Sequence, residues 1–208
     1  MNAHVEEILS MLDDAYGVRP DITLDYCEPY QLLIATIMSA QCTDDRVNIV
    51  TKTLFQKYKS LHDFSSADLS ELEDDIHSVG FYHHKAKNII KCCKQLECDF
   101  AGVMPSDIDE LTSLAGVGRK TANVIRTHVF NIPSITVDTH VKRISNLLGL
   151  TEEKDPVKIE FDLMQKLPKD HWSSINIQMI RHGRAICIAR RPKCKECFLS
   201  HLCPSSLG

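Results

Sequence analysis

The sequence contains no long hydrophobic run. Its most apolar stretch, LLIATIM from Leu32 to Met38, is far short of the roughly 20 residues a bilayer-spanning helix needs. A basic leader is missing too. The opening MNAHVEEILSMLDD is acidic, so no targeting segment is expected; a cytosolic protein is, nucleoid-associated if the source is bacterial. No polar low-complexity tract occurs, and 43% hydrophobic with 25% charged residues confines expected disorder to the ends. β-Rich fragments are few and short, and one such as ITV at 135–137 is too isolated to build a sheet. An even cysteine count is also absent: nine cysteines without a secretory signal argue against a disulfide framework.

What is present is helical periodicity over 208 residues and 23.5 kDa, enough for one domain or two compact ones. Val5, Ile8, Leu9 and Leu12 mark a helix over 5–16, punctuated by Gly17 and Pro20. A helix from near Pro29 carries YQLLIATIMSA, whose nearly unbroken apolarity predicts a central position. Further helices are predicted over 44–58, 66–78, 86–96, 119–130, 156–167 and 172–187. Another opens at Pro105 and Ser106, with Ser106 and Asp109 spaced as a capping box. In DTHVKRISNLLG, Asp138 is the expected N-cap, Val141, Ile144, Leu147 and Leu148 the buried stripe, and Gly149 the stop.

Charge is unevenly spread. Residues 1–118 carry 9 Lys or Arg against 20 Asp or Glu, whereas residues 119–208 carry 15 against 8. Arg181 to Lys195 holds six basic side chains and no acidic one, a surface that suits phosphate. Cys187, Cys194, Cys197 and Cys203 form C-x6-C-x2-C-x5-C in a tail with too few apolar residues to bury them as core. Four thiolates at that spacing ask for a soft metal centre, tetrahedral zinc or an iron-sulfur cluster, and the chemistry alone leaves both open. Cys92, Cys93, Cys98, Cys27 and Cys42 are expected to fill core positions.

LAGVGRKTANVI, Leu114 to Ile125, sets two glycines before Arg119 and Lys120 at the mouth of a helix. Gly116 and Gly118 allow positive φ and close approach of another backbone, and with the first helical turn their amides converge on an anion. A lysine there is disfavoured by the helix dipole, which favours a free amine able to act as a nucleophile. Asp138 supplies a carboxylate that can stabilise positive charge developing on a sugar as a base departs.

These motifs, with MSAQCTD, VDTHVKRISN and HGRAICIARRPKCKECFLSHLC in this order and spacing, resemble the endonuclease III family of helix-hairpin-helix DNA glycosylases. The resemblance covers essentially the whole chain. It implies an all-α fold, with a six-helix barrel at about 22–132 and a discontinuous domain from 1–21 and 133–208 holding a 4Fe-4S cluster. Damaged double-stranded DNA would lie in the cleft between them, with no membrane involved; a monomer is expected because no exposed apolar heptad calls for a partner. Residue by residue, the resemblance makes Lys120 the Schiff-base lysine, Asp138 the essential carboxylate, and Cys187, Cys194, Cys197 and Cys203 the cluster ligands. Gln41 would fill the gap left by the extruded nucleotide, Phe81 would wedge into the duplex where leucine is usual, and Ser39 and Asp44 would line the lesion pocket. Gly116, Gly118, Arg119, His140, Arg143 and Arg184 would contact DNA. The implied activity is excision of oxidised pyrimidines with β-elimination at the 3′ side.

Two departures stand out. The family's hairpin begins Leu-Pro-Gly, where this chain has Leu114, Ala115 and Gly116, and a slightly looser turn is expected. Arg181 replaces a common hydrophobic residue and offers a phosphate contact or a solvent-facing charge. The rivals are an adenine or mismatch glycosylase, against which Lys120 and SAQCTD argue, a noncatalytic DNA-binding module, and a zinc-stabilised helical protein.

Overall fold

Leu32 to Met38 are all buried, so the helix that carries them has no solvent face over two turns and must lie inside a ring of others. In the computed structural model, which describes residues 2–19 and 21–206, that helix is α2 (Pro29–Ser39), following α1 (Ala3–Tyr16). It is packed by α3 (Asp44–Lys57), α6 (Tyr82–Phe100) and α8 (Arg119–Phe130). Each fully buried Leu, Ile or Met contributes roughly 1.5–3 kcal/mol relative to exposure, which makes α2 the main source of burial here. Two short helices, α4 (Leu61–Ser65) and α5 (Leu69–Asp75), pack on α6, and α7 (Ile108–Ser113) precedes α8. The remaining helices are α9 (Thr139–Leu147), α10 (Pro156–Lys166) and α11 (Ile175–Ala185), with 3₁₀ turns at Lys169–His171 and Cys194–Glu196. Among the described residues there is no strand, and no helix is long and apolar enough to cross a membrane.

The chain divides into two units. The inner unit is residues 23–130; the terminal unit joins residues 1–22 to 131–208. The core of the terminal unit is built by Ile8 and Leu12 of α1, Val141 and Ile144 of α9, Ile159 and Leu163 of α10, and Ile175 and Met179 of α11. Polar ties then fasten α1 to α11. Gln178 Nε2 donates to Asp13 Oδ1 at 2.8 Å and to the Gly17 carbonyl at 2.7 Å. Arg181 donates to the Tyr16 carbonyl at 2.8 Å and pairs with Asp21 at 2.7 Å, so its charge is engaged within the unit rather than offered to a phosphate.

Several boundaries differ from those read off the sequence. The segment 66–78 is only α5, ending at Asp75, and α4 before it carries no periodic signal because five residues are too few to show one. The cap of α7 is Asp107, not Ser106: its carboxylate accepts the amides of Asp109 at 2.8 Å and Glu110 at 3.1 Å. Asp138 caps α9 as expected, accepting the Val141 amide at 2.8 Å. Cys92 and Cys93 are buried core, the former thiol pushed up to about 12 and the latter raised further, both by burial. Cys27 and Cys98 are exposed and Cys42 is half-buried, contrary to the core positions expected of them.

Candidate functional site

The inner unit presents the glycine hairpin between α7 and α8. Gly116 takes φ +78°, and a Cβ there would meet the Asn88 side chain of α6 at 2.9 Å, so both its backbone and its space demand glycine. Gly118 differs: its backbone is not left-handed, and an added Cβ would meet nothing within 4 Å. Its bareness serves no contact inside the unit and leaves the backbone open to an outside molecule. Only one of the two glycines therefore supplies positive φ. Ala122 donates to the Gly118 carbonyl at 2.9 Å, which closes the first turn of α8 directly after the hairpin. Lys120 stands exposed in that turn and Arg119 is half-buried. The turn is clamped from α6: Gln95 accepts the Ala115 amide at 2.8 Å and donates to the Ser113 carbonyl at 3.3 Å. A proline at 115 could not make the first of these bonds, so the turn expected to be looser has a tie of its own.

On the same unit, Gln41 and Phe81 are exposed residues in the left-handed region, φ +55° and +60°. Phe81 is 63% exposed, an aromatic ring held in solvent at the start of α6. Left-handed non-glycine residues cost about 1–3 kcal/mol each, so the surroundings must hold them there. The two turns adjoin, since a Cβ on Gly80 would lie 3.8 Å from the Gln41 carbonyl. Ser39, at the end of α2, is half-buried and donates back to the Thr36 carbonyl at 2.9 Å. Asp44, which opens α3, accepts the Thr23 hydroxyl at 2.6 Å.

In the terminal unit, Asp138, His140 and Arg143 follow one another along the start of α9, with Arg184 exposed on α11. Gly183 of α11 makes this possible: a Cβ there would run into the His140 ring and come within 3.1 Å of Arg143 Nη2. Burial lowers the His140 pKa, Asp138 pulls the other way, and Arg143 and Arg184 push it down again. The ring is thus favoured neutral, with Nδ1 buried and unpartnered within the protein. Arg143 and Arg184 supply positive charge beside this neutral ring, and the Asp138 carboxylate opposes them.

Cys187, Cys194, Cys197 and Cys203, all half-buried, line one small cavity together with Ile144, Leu148 and His182. Among the described residues, no three His, Cys, Asp or Glu side chains gather as a site for a single ion. Thiols distributed around a cavity suit a cluster that takes one thiolate per corner. Arg143 Nη1 donates to Cys187 Sγ at 3.3 Å, His182 Nε2 lies 3.6 Å from Cys197 Sγ, and Tyr16 Oη lies 3.1 Å from His182 Nδ1. Such bonds are what a cluster-bearing thiolate set needs around it.

Residues 34–169 match the HhH-GPD superfamily of base excision DNA repair proteins, and residues 187–203 match the iron-sulfur binding domain of endonuclease III. Endonuclease III of Synechocystis sp. is 51% identical over 201 residues, covering 96% of this chain and 91% of that protein. The chain belongs to the endonuclease III family. Two solved structures extend the likeness to the fold, each at 44% identity and TM-score 0.89 over 99% of this chain. One is a non-covalent endonuclease III–DNA complex, of which 97% is covered, and the other a trapped endonuclease III–DNA covalent intermediate, of which 98% is covered. The family's 4Fe-4S cluster is therefore the cofactor of this chain, and zinc is set aside.

Sequence reasoning missed three supporting residues. Lys85 falls in register with Ile89, Cys92 and Leu96 on the apolar stripe of α6, and a lysine in a buried stripe is a signal that could have found it. Gln95 and Gly183 carry no such signal, because their importance lies in which other segment comes to face them.

Proposed function

We propose that this chain is a bifunctional DNA glycosylase and abasic-site lyase that removes oxidised pyrimidines from duplex DNA, with Lys120 as its nucleophile. One observation carries this: a chain of 44% identity and the same fold has been trapped as a covalent intermediate with DNA, and Lys120 is the amine exposed at the mouth of the hairpin helix. A covalent intermediate requires such a group. The extruded nucleotide is unstacked most cheaply when damaged, which is one source of selectivity. Lys120 Nζ forms a bond to the anomeric sugar carbon while the bond to the base breaks, and the base leaves with a proton. A proton then passes from the amine nitrogen to the ring oxygen as the C1′–O4′ bond breaks, which opens the sugar and gives an imine. That imine acidifies the adjacent C2′ hydrogen; its removal expels the 3′ phosphate, and water then releases the lysine.

The other residues take supporting roles. Asp138, tied by its cap bond to the start of α9, offsets positive charge developing on the sugar. Gly116, Gly118 and Arg119 cradle a phosphate at the α8 N-terminus, while His140, Arg143 and Arg184 contact the DNA backbone. Gln41 occupies the vacated space, Phe81 wedges between bases, and Ser39 and Asp44 line the lesion pocket. Cys187, Cys194, Cys197 and Cys203 hold the 4Fe-4S cluster, which when bound cross-links the tail and offers a one-electron couple.

Borohydride trapping on a thymine glycol duplex tests the reading, with an undamaged duplex and Lys120→Ala as controls. An adduct that needs both lesion and lysine is expected. Cluster-loaded protein that binds the lesion duplex without ever trapping overturns the lysine assignment and leaves a monofunctional glycosylase or a binding module.

A further inference from the structure

Lys85 is 5% exposed in the first turn of α6, and no step of the chemistry above uses it. Its ammonium donates to the Met38 carbonyl at 2.8 Å and to the Ala40 carbonyl at 2.6 Å. These are acceptors left over at the C-terminus of α2, where the helix dipole is negative and a cation is favoured. Ala40 is the residue before Gln41. The backbone of the same lysine reaches the other turn, because the Lys85 amide donates to the Phe81 carbonyl at 3.2 Å. One residue thus grips the chain next to left-handed Gln41 with its side chain and left-handed Phe81 with its main chain. Burial lowers the Lys85 pKa, so the bonds to these carbonyls help to retain a cation whose environment opposes it.

We propose that Lys85 is the positioning residue that holds Gln41 and Phe81 in register, so that the pair enters the duplex as one unit. This rests on the reading of Gln41 as the gap-filling and Phe81 as the wedging side chain. Two left-handed backbones at adjoining turns relax independently once nothing spans them, and a misplaced pair still leaves the lysine chemistry at the hairpin intact.

The test compares wild type, Lys85→Met, Gln41→Gly and the double variant by borohydride trapping rate on two substrates, at a temperature where thermal unfolding shows all four folded. Methionine keeps an apolar stem and removes the donors; glycine keeps the left-handed backbone and removes the side chain. One substrate is duplex DNA with thymine glycol. The other is a single strand with a preformed abasic site, which presents no base to extrude and no gap to fill.

Lys85→Met is expected to lose about tenfold or more on the duplex, the scale of a misplaced contact, and less than about twofold on the single strand. The double variant should be no more than about twofold slower than Gln41→Gly, since residues acting as one unit are not additive. An unchanged duplex rate, an equal loss on both substrates, or additive losses in the double variant each overturn the proposal, the second by showing a merely structural lysine. Wild-type protein that traps on neither substrate removes the functional reading itself, and this proposal with it.

Discussion

Counted by unit rather than by sequence half, the charge polarity of the chain largely disappears. The inner unit carries 11 Lys or Arg against 15 Asp or Glu, and the terminal unit carries 13 against 13. The strongly acidic first half includes the acidic α1, which the fold returns to the basic carboxy-terminal segment. On the function proposed above, contact with DNA is prepared locally in each unit, by a hairpin mouth in one and the arginines beside His140 in the other, not by one charged half. The units also differ in what holds them. The inner unit is organised around an apolar helix with single-residue clamps at its turns, Lys85 and Gln95. The terminal unit joins two distant stretches of chain through polar ties and a thiol-lined cavity.

Removing one thiol is the harshest test of that contrast. Cys197→Ser should abolish cluster absorption and leave residues 187–203 without amide exchange protection, because ligand binding and local folding are one free energy there. Protection in α2 and α6 should change by less than about tenfold, as expected of separately organised cooperative units. Hydrogen exchange read by mass spectrometry decides it. If α2 loses protection along with the tail, the two units are one cooperative body and the contrast fails.

A milder test lies in the tie between α1 and the turn before α11. His171 bonds Asp13 at 2.9 Å and Asp170 at 3.0 Å. Burial pulls its pKa down, but the two carboxylates outweigh that, and the net shift is upward from the ordinary 6.5. A raised folded pKa gives stabilisation that is fully present below the unfolded value and is lost as pH rises through the folded one. The melting temperature of wild type should thus include a decline above about pH 6.5 that His171→Gln lacks. Parallel pH profiles for the two proteins would show that the histidine charge does not hold the terminal unit together.

Legibility in the sequence follows the same division. The apolar run of α2, the cap at Asp138 and the four-cysteine tail are local patterns, and each could be read without knowing its neighbours. Motif spacing likewise brought Lys120, Asp138 and the cysteines forward as chemistry. The clamps could not be found that way. Gln95 matters because the hairpin turn lies against it, Gly183 because His140 does, and Arg181 because the N-terminal segment folds back to take its charge. Such pairings join residues 20 or more positions apart through tertiary contact, and no periodicity encodes them.

The gentlest probe asks whether Ala115 and Gln95 are one device. Ala115→Pro gains about 0.4–1 kcal/mol by restricting the unfolded chain if the turn accepts the ring. It also loses the amide that Gln95 accepts at 2.8 Å, a bond worth about 0.5–1.5 kcal/mol. The two nearly cancel, and urea unfolding should place the variant within about 1 kcal/mol of wild type. In a Gln95→Ala background there is no acceptor to lose, so the same substitution should become stabilising by about 0.4–1 kcal/mol. That reversal would mean the chain replaced a rigid ring by a side-chain tie from α6 at the same point of the hairpin. A marked loss in both backgrounds would instead mean that the backbone at 115 cannot accept proline, and the glutamine would be a bystander.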